Sequence, residues 1–206
     1  MNTFSIEKEL IQAWQLVKKD WKFFATLSLV VVLVYGISQF LIEFFKQDAP
    51  LLGILLTIIS LVIYTILEMG FITIGLNALD GKPKKIADLF RTTKPFWAFI
   101  AMSTLYSLMV LIGSFLLILP GIYLYVMGSM AGPLLLERKL GPIEAIKQSF
   151  RITKGHFWKL LWFSIVLTLI NILGVLLLGV GLLLSMPVTL IALLSVYRKL
   201  ASHQAS

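Results

Sequence analysis

Six long apolar stretches dominate the chain, at about 21–45, 51–78, 96–119, 122–136, 157–178 and 182–197. A helix needs about 20 apolar residues to cross about 30 Å of hydrocarbon. The first three and the fifth meet that length. The fourth and sixth are near the lower limit and must stand almost upright or thin the bilayer around them. Composition agrees: 59% of the 206 residues are hydrophobic and 14% are charged, against about 25% charged in soluble domains. A soluble globule of this size has no interior large enough for so much apolar surface. The expected fold class is therefore an all-α integral membrane protein with six transmembrane helices. A soluble enzyme and a disordered chain are excluded, and with no cysteine so is a disulfide-stapled module.

Residues 96–136 and 157–197 can be read as two very long helices or as two hairpins. Pro120-Gly121 and Gly179-Val180-Gly181 fall near their midpoints, and proline and glycine are the strongest local breakers. Two tight hairpins are the expected arrangement.

Charge orients the hairpins. Lys8, Lys18, Lys19 and Lys22 precede the first span, and Lys82, Lys84, Lys85, Arg91 and Lys94 lie between the second and third. Arg138, Lys139, Lys147, Arg151, Lys154 and Lys159 lie between the fourth and fifth, and Arg198 and Lys199 follow the sixth. Seventeen of the 18 basic residues thus share one face, leaving only Lys46 on the other. The positive-inside rule places that face and both termini in the cytoplasm. The net charge of +8 is then a topology signal and an attraction to anionic headgroups; nucleic acid is not an expected partner. The first 20 residues are amphipathic and carry Glu7 and Glu9, and no cleavable signal peptide is expected.

Laying residues 81–140 over 141–200 without gaps gives fifteen identities. The telling ones are Gly81/Gly141, Phe90-Arg91/Phe150-Arg151, Thr93-Lys94/Thr153-Lys154, Gly121/Gly181 and Arg138-Lys139/Arg198-Lys199. Residues 1–80 read as a longer, diverged first copy, with Trp14, Lys18 and Trp21 where Phe150, Lys154 and Phe157 stand in the third. The chain is thus expected to be one membrane domain, 1–206, of three parallel repeats (1–80, 81–140, 141–200) and a short tail, 201–206.

Each repeat reads as a cytoplasmic amphipathic helix followed by a transmembrane hairpin. The apolar stripes are Ile6, Leu10, Ala13, Trp14 and Val17; Ile86, Leu89 and Phe90 after Pro83; and Ile143, Ile146 and Phe150 after Pro142. Basic groups flank the stripes and aromatic clusters follow, as in helices that lie in the headgroup plane. Lys84, Lys85, Arg91, Lys94, Lys147, Arg151, Lys154 and Lys159 are the candidate contacts to anionic lipid. The competing reading makes these helices plain cytoplasmic extensions of the spans.

The runs Gly70-Phe71-Ile72-Thr73-Ile74-Gly75-Leu76, Asp80-Gly81-Lys82-Pro83, Leu119-Pro120-Gly121-Ile122 and Leu140 to Phe150, with Thr153-Lys154-Gly155 and Phe157-Trp158-Lys159, carry a resemblance. They look like a large group of uncharacterised bacterial six-helix membrane proteins. That group is similar to the membrane domain attached to some glycerophosphoryl diester phosphodiesterases. The resemblance implies fold and inner-membrane location. It implies no activity, because the phosphodiesterase chemistry belongs to a separate soluble barrel.

No catalytic constellation, phosphate loop or metal-ligand spacing is visible, so no enzyme activity and no cofactor are expected. His156 and His203 stand apart, and His156 reads as a wetted interfacial residue. Glu68 is the one acid deep in a span, about ten residues from its cytoplasmic end, or roughly 15 Å inside at 1.5 Å per residue. Such a residue marks a candidate functional site. Its alternative is a protonated acid bonded to Asn171, Tyr64 or backbone. Gln39 and Asn171 read as packing glue, and Gly128-x-x-x-Gly132 as a close helix contact beside a kink at Pro133. The favoured function is a non-catalytic membrane protein that interacts with lipids or envelope proteins, with self-association left open. The alternative is a small transporter or channel with Glu68 in its pathway.

Overall fold

In a computed structural model, which describes residues 4–92, 94–177 and 179–203, the described residues are helical with no strand. The order is α1 (Ile6–Lys19), α2 (Trp21–Lys46), α3 (Pro50–Leu79), a single 3-10 turn (Ile86–Phe90), α4 (Phe96–Leu116), α5 (Ile118–Gly128), α6 (Ala131–Arg138), α7 (Pro142–Thr153), α8 (Phe157–Leu176) and α9 (Leu182–His203). Six of these units are long and apolar enough to cross a bilayer: α2, α3, α4, α5 with α6, α8 and α9. The chain is a multi-pass membrane protein. Thr93 of the sequence repeat and Leu178, at the end of the fifth apolar stretch, lie outside the described residues.

The turns differ in detail from expectation. The chain between α4 and α5 breaks at Leu117, which is extended, and not at Pro120-Gly121. Pro120 instead sits in the first turn of α5, where its missing N–H costs nothing. Gly121 has a different task. A Cβ there would lie 2.0 Å from Ser114 Oγ and 2.7 Å from Ser114 Cα, so glycine lets α5 close on α4. The α8–α9 turn does use glycine for its backbone, with Gly179 at φ 76°. The fourth span is broken at Ser129-Met130, ahead of Pro133. In a continuous helix the Pro133 ring would collide with the carbonyl of Ser129.

A larger difference lies before α4. The amphipathic helix expected after Pro83 is an irregular link over 82–85 followed by one 3-10 turn. The Asp88 carboxylate accepts the Lys85 N–H at 2.9 Å and closes that turn. Leu89, fully buried, lays its backbone directly on α3 at Gly70, where a Cβ would fall 2.2 Å from the Leu89 carbonyl oxygen. The turn is thus held by a backbone contact that only glycine at position 70 permits.

The packing follows one pattern. The 3-10 turn and α4 pack on α3; α7 packs on α5 and α6, and α8 on α5; α1 and α2 pack on α9. Half of the apolar stretch in α5–α6 and in α9 is buried, against 11% in α2, so these second helices form the interior. The large buried side chains, among them Phe24, Leu67, Phe99, Leu134, Phe163 and Tyr197, belong to the basic-side half of the molecule. Toward the other side the buried positions are small: Gly53, Ser60, Gly113, Gly121, Gly174 and Ser185. The α4–α5 tip is bare, with Phe115 91% exposed. In lipid such a surface needs no protein cover, because the chains around it are as apolar as leucine.

Candidate functional site

On the basic side the ends of the inner helices are tied by charge. Arg198 on α9 pairs with Glu137 on α6 at 2.6 Å and with Asp80, just past α3, at 3.0 Å. Lys82 adds a bond to Asp80 at 2.9 Å. The Lys82 hydrogen bond, followed by the nearby Arg198 charge, holds the Asp80 carboxyl below its ordinary range. A second junction joins Asp20, between α1 and α2, to Lys84 at 2.7 Å. That hydrogen bond lowers the Asp20 carboxyl in the same way. Lys84 also lies 5.2 Å from the Phe24 ring centroid, a favourable site for an ammonium.

The helices expected at the headgroup level are pinned to protein along one side. On α1, Ala13 and Val17 are buried, and so is Glu9, with no exposed surface at all. Glu9 accepts hydrogen bonds from Ser195 and Lys199 of α9. On α7, Ala145, Ile146, Ser149, Ile152 and Thr153 are buried. The Ser149 hydroxyl donates to the Met127 carbonyl at 2.7 Å and accepts the Met130 N–H at 3.2 Å. Thr153 donates to the same carbonyl at 3.1 Å. These bonds satisfy the backbone groups freed by the α5–α6 break, as broken membrane helices require. The outer sides of the same elements remain open: Ile11, Trp14, Phe90 and Ile143 are exposed.

The eight candidate lipid-binding cations divide into two sets. Lys84 is paired with Asp20, Arg91 with Asp88 at 3.5 Å and Arg151 with Gln148 at 3.0 Å. The Lys159 ammonium donates to the Phe4 carbonyl and lies over its ring. Lys85, Lys94, Lys147 and Lys154 are exposed. Trp97 and Trp158, at the starts of α4 and α8, are 79% and 73% exposed on the same side, the positions of an interfacial aromatic belt.

Glu68 is not joined to its two expected companions. Asn171 accepts from Ser185 at 2.8 Å and donates to Thr189 at 3.1 Å, which fastens α8 to α9. Tyr64 donates to the Tyr35 carbonyl at 3.4 Å. Glu68 itself is exposed at the margin of two clefts. One, of about 220 Å³, runs between α3, α4 and α5–α6 and includes Ser103, Tyr106 and Gly132. The other, of about 320 Å³, includes Val31, Tyr35, Tyr64 and Met186. A third cleft of about 320 Å³ begins beyond Phe71 and holds Ser129, Ser164, Thr168 and Asn171. Phe71 lines all three. Gly128 packs on Tyr106, where a Cβ would fall 2.2 Å from the ring.

The sequence reading missed Glu9. One acid in the first turn of an amphipathic helix reads as a dipole partner, and the signal for burial, Ser195 and Lys199 four residues apart on α9, is 186 and 190 positions away. It also missed Lys139, described below.

Comparison with known proteins gives distant relatives. The chain is 28% identical over 151 residues to an uncharacterised protein of Mycobacterium bovis and to two of Mycobacterium tuberculosis strains. The match covers 72% of this chain and 45% of theirs, so the chain spans about half the length of the curated relatives it matches. No family model matches the chain, and no solved structure does. The resemblance to a phosphodiesterase membrane domain draws no support from these relatives, whose names state no activity.

Proposed function

We propose that this is a non-catalytic protein of the bacterial inner membrane, with both termini cytoplasmic, that gathers anionic lipid at the inner leaflet through a basic rim. The observation that carries the reading is the rim itself. Lys85, Lys94, Lys147 and Lys154 are exposed beside Trp97 and Trp158, on the side where seventeen basic residues collect. Near an anionic surface each such cation contributes about 1 kcal/mol.

The same proposal builds the fold from three parallel units, each an interfacial element plus a hairpin. The packing order supports it. Each interfacial element sits on the second helix of another unit: the 3-10 turn on α3, α7 on α5–α6 and α1 on α9, which closes a ring. Residues 60 apart also play matching parts, since Gly121 closes on Ser114 and Gly181 on Gly174.

The test is lipid selectivity in liposomes of phosphatidylcholine and phosphatidylglycerol, read with spin-labelled lipids. Changing Lys85, Lys94, Lys147 and Lys154 to Gln lowers the preference for phosphatidylglycerol and its sensitivity to salt. Equal preference in both proteins would overturn the rim as the binding element.

A second reading, passage of a lipid-like solute, is favoured by Glu68. Its carboxyl has no protein partner among the described residues and stands where clefts open toward lipid. On this reading Glu68→Gln stops the movement of a fluorescent phospholipid across proteoliposomes while thermal stability stays unchanged. Equal movement in both proteins removes it.

A further inference from the structure

We infer that the groove between α4 and the α6–α7 link is a site for one anionic phospholipid, with its phosphate held by Arg91, Lys94 and Lys139 and an acyl chain running along Ala98, Ala101 and Leu105. The inference rests on the lipid-binding reading above and narrows it from a charged rim to a defined pocket.

The groove has about 710 Å³ and carries those three cations with no acid in its lining. Arg91 pairs at 3.5 Å with Asp88, which is not among the lining residues, and the groove's apolar wall is Leu135, Leu136 and Leu140. At Gly141 the groove adjoins a cleft of about 520 Å³ walled by Ala101, Leu105 and Ile143, with Glu144 at one edge. Ala98 to Leu105 runs inward along α4. The order from basic to apolar therefore follows the membrane normal, as a phospholipid does. A free anion would match the first cavity and leave the second unused.

Two further observations converge on Lys139. Among the described residues it is the one non-glycine with positive φ, at 53°. It ends α6 in the left-handed region where glycine or asparagine is usual, and strain of this kind collects at ligand sites. The repeat alignment supplies the other. Lys139 corresponds to Lys199, which is neutralised by Glu9 of the docked α1. The position on α7 that matches Glu9 is Ala145. One junction brings its own carboxylate; the other offers a lysine beside two more cations and an alanine. A lipid phosphate supplies the missing anion.

The experiment is native mass spectrometry of the purified protein titrated with phosphatidylglycerol, with phosphatidylcholine and with phosphatidylglycerol plus inorganic phosphate. The first phosphatidylglycerol adduct forms well below the concentration needed for further adducts and persists in phosphate. Arg91→Gln/Lys94→Gln/Lys139→Gln weakens it by roughly a hundredfold, at about 1 kcal/mol per charge. Lys85→Gln/Lys147→Gln/Lys154→Gln leaves the first adduct intact. Ala101→Trp, which fills the apolar cleft and keeps every charge, also weakens it, and it decides the matter if the triple groove variant fails to fold. Equal weakening by the two triple variants overturns the site and leaves the rim. No weakening by the groove variant overturns the site, equal binding of phosphatidylcholine and phosphatidylglycerol overturns the lipid-binding reading beneath it, and displacement by inorganic phosphate overturns the lipid assignment.

Discussion

Removing either end of the Glu9–Lys199 pair should damage the protein unequally, in an order set by burial. Lys199→Ala strands a carboxylate with no exposed surface, leaving only the Ser195 hydroxyl as partner. Stranding a buried charge costs about 3–5 kcal/mol. Glu9→Ala strands an ammonium whose side chain is 44% exposed. Water resolvates it, and the loss is that of a charged hydrogen bond and a satisfied serine, about 1.5–3 kcal/mol. For a chain of this length about 1 kcal/mol corresponds to roughly 2–4 °C in Tm. Lys199→Ala should therefore fall by about 10 °C and Glu9→Ala by about half as much. Replacing both residues with leucine should recover most of the loss, because buried pairs exchange for apolar groups at little cost. The assay is thermal unfolding in detergent followed by intrinsic fluorescence, with Trp14 on the same helix as Glu9. Equal losses, a reversed order or no rescue would mean that α1 is not seated on α9 and that the ring is open.

Three other perturbations test neighbouring junctions. Gly70→Ala drives a Cβ into the Leu89 backbone at 2.2 Å, so it should cost about 1–3 kcal/mol or more by overpacking; an unchanged Tm would detach the 3-10 turn from α3. Ser149→Ala with Thr153→Val removes three hydrogen bonds at the α5–α6 break and should cost about 2–4 kcal/mol, seen as a lower Tm and faster hydrogen exchange at Met130. Asp20 and Asp80 have carboxyls held below the ordinary range, so their stabilisation is present above about pH 4 and is lost as pH falls through their folded-state values. Each pair is partly exposed and is worth about 0–1 kcal/mol; a Tm that falls on acidification in the wild type and stays flatter in Asp20→Asn/Asp80→Asn checks the sign.

The six spans were legible because each is a long apolar run, a signal that needs no partner to be read. Breaks were legible only to within a few residues. Proline permits a helix start as readily as it ends one, so Pro120 marked the neighbourhood of the turn while Leu117 makes it. The 3-10 turn at 86–90 was hidden because Pro83 and its apolar stripe carry the local pattern of α7, whereas its seat is Gly70 on another helix. The same holds for the candidate sites. Exposure of the rim cations follows from charge in the chain. The separation of Glu68 from Asn171 and Tyr64, the burial of Glu9 and the cationic groove at Lys139 depend on contacts between segments far apart in sequence.

The whole account requires the basic rim to face the cytoplasm, and topology mapping measures this directly. A reporter active only in the periplasm should be silent when fused after His203 and active when inserted between Gln47 and Asp48. Activity after His203 and silence at the α2–α3 turn would place the rim outside and contradict the account.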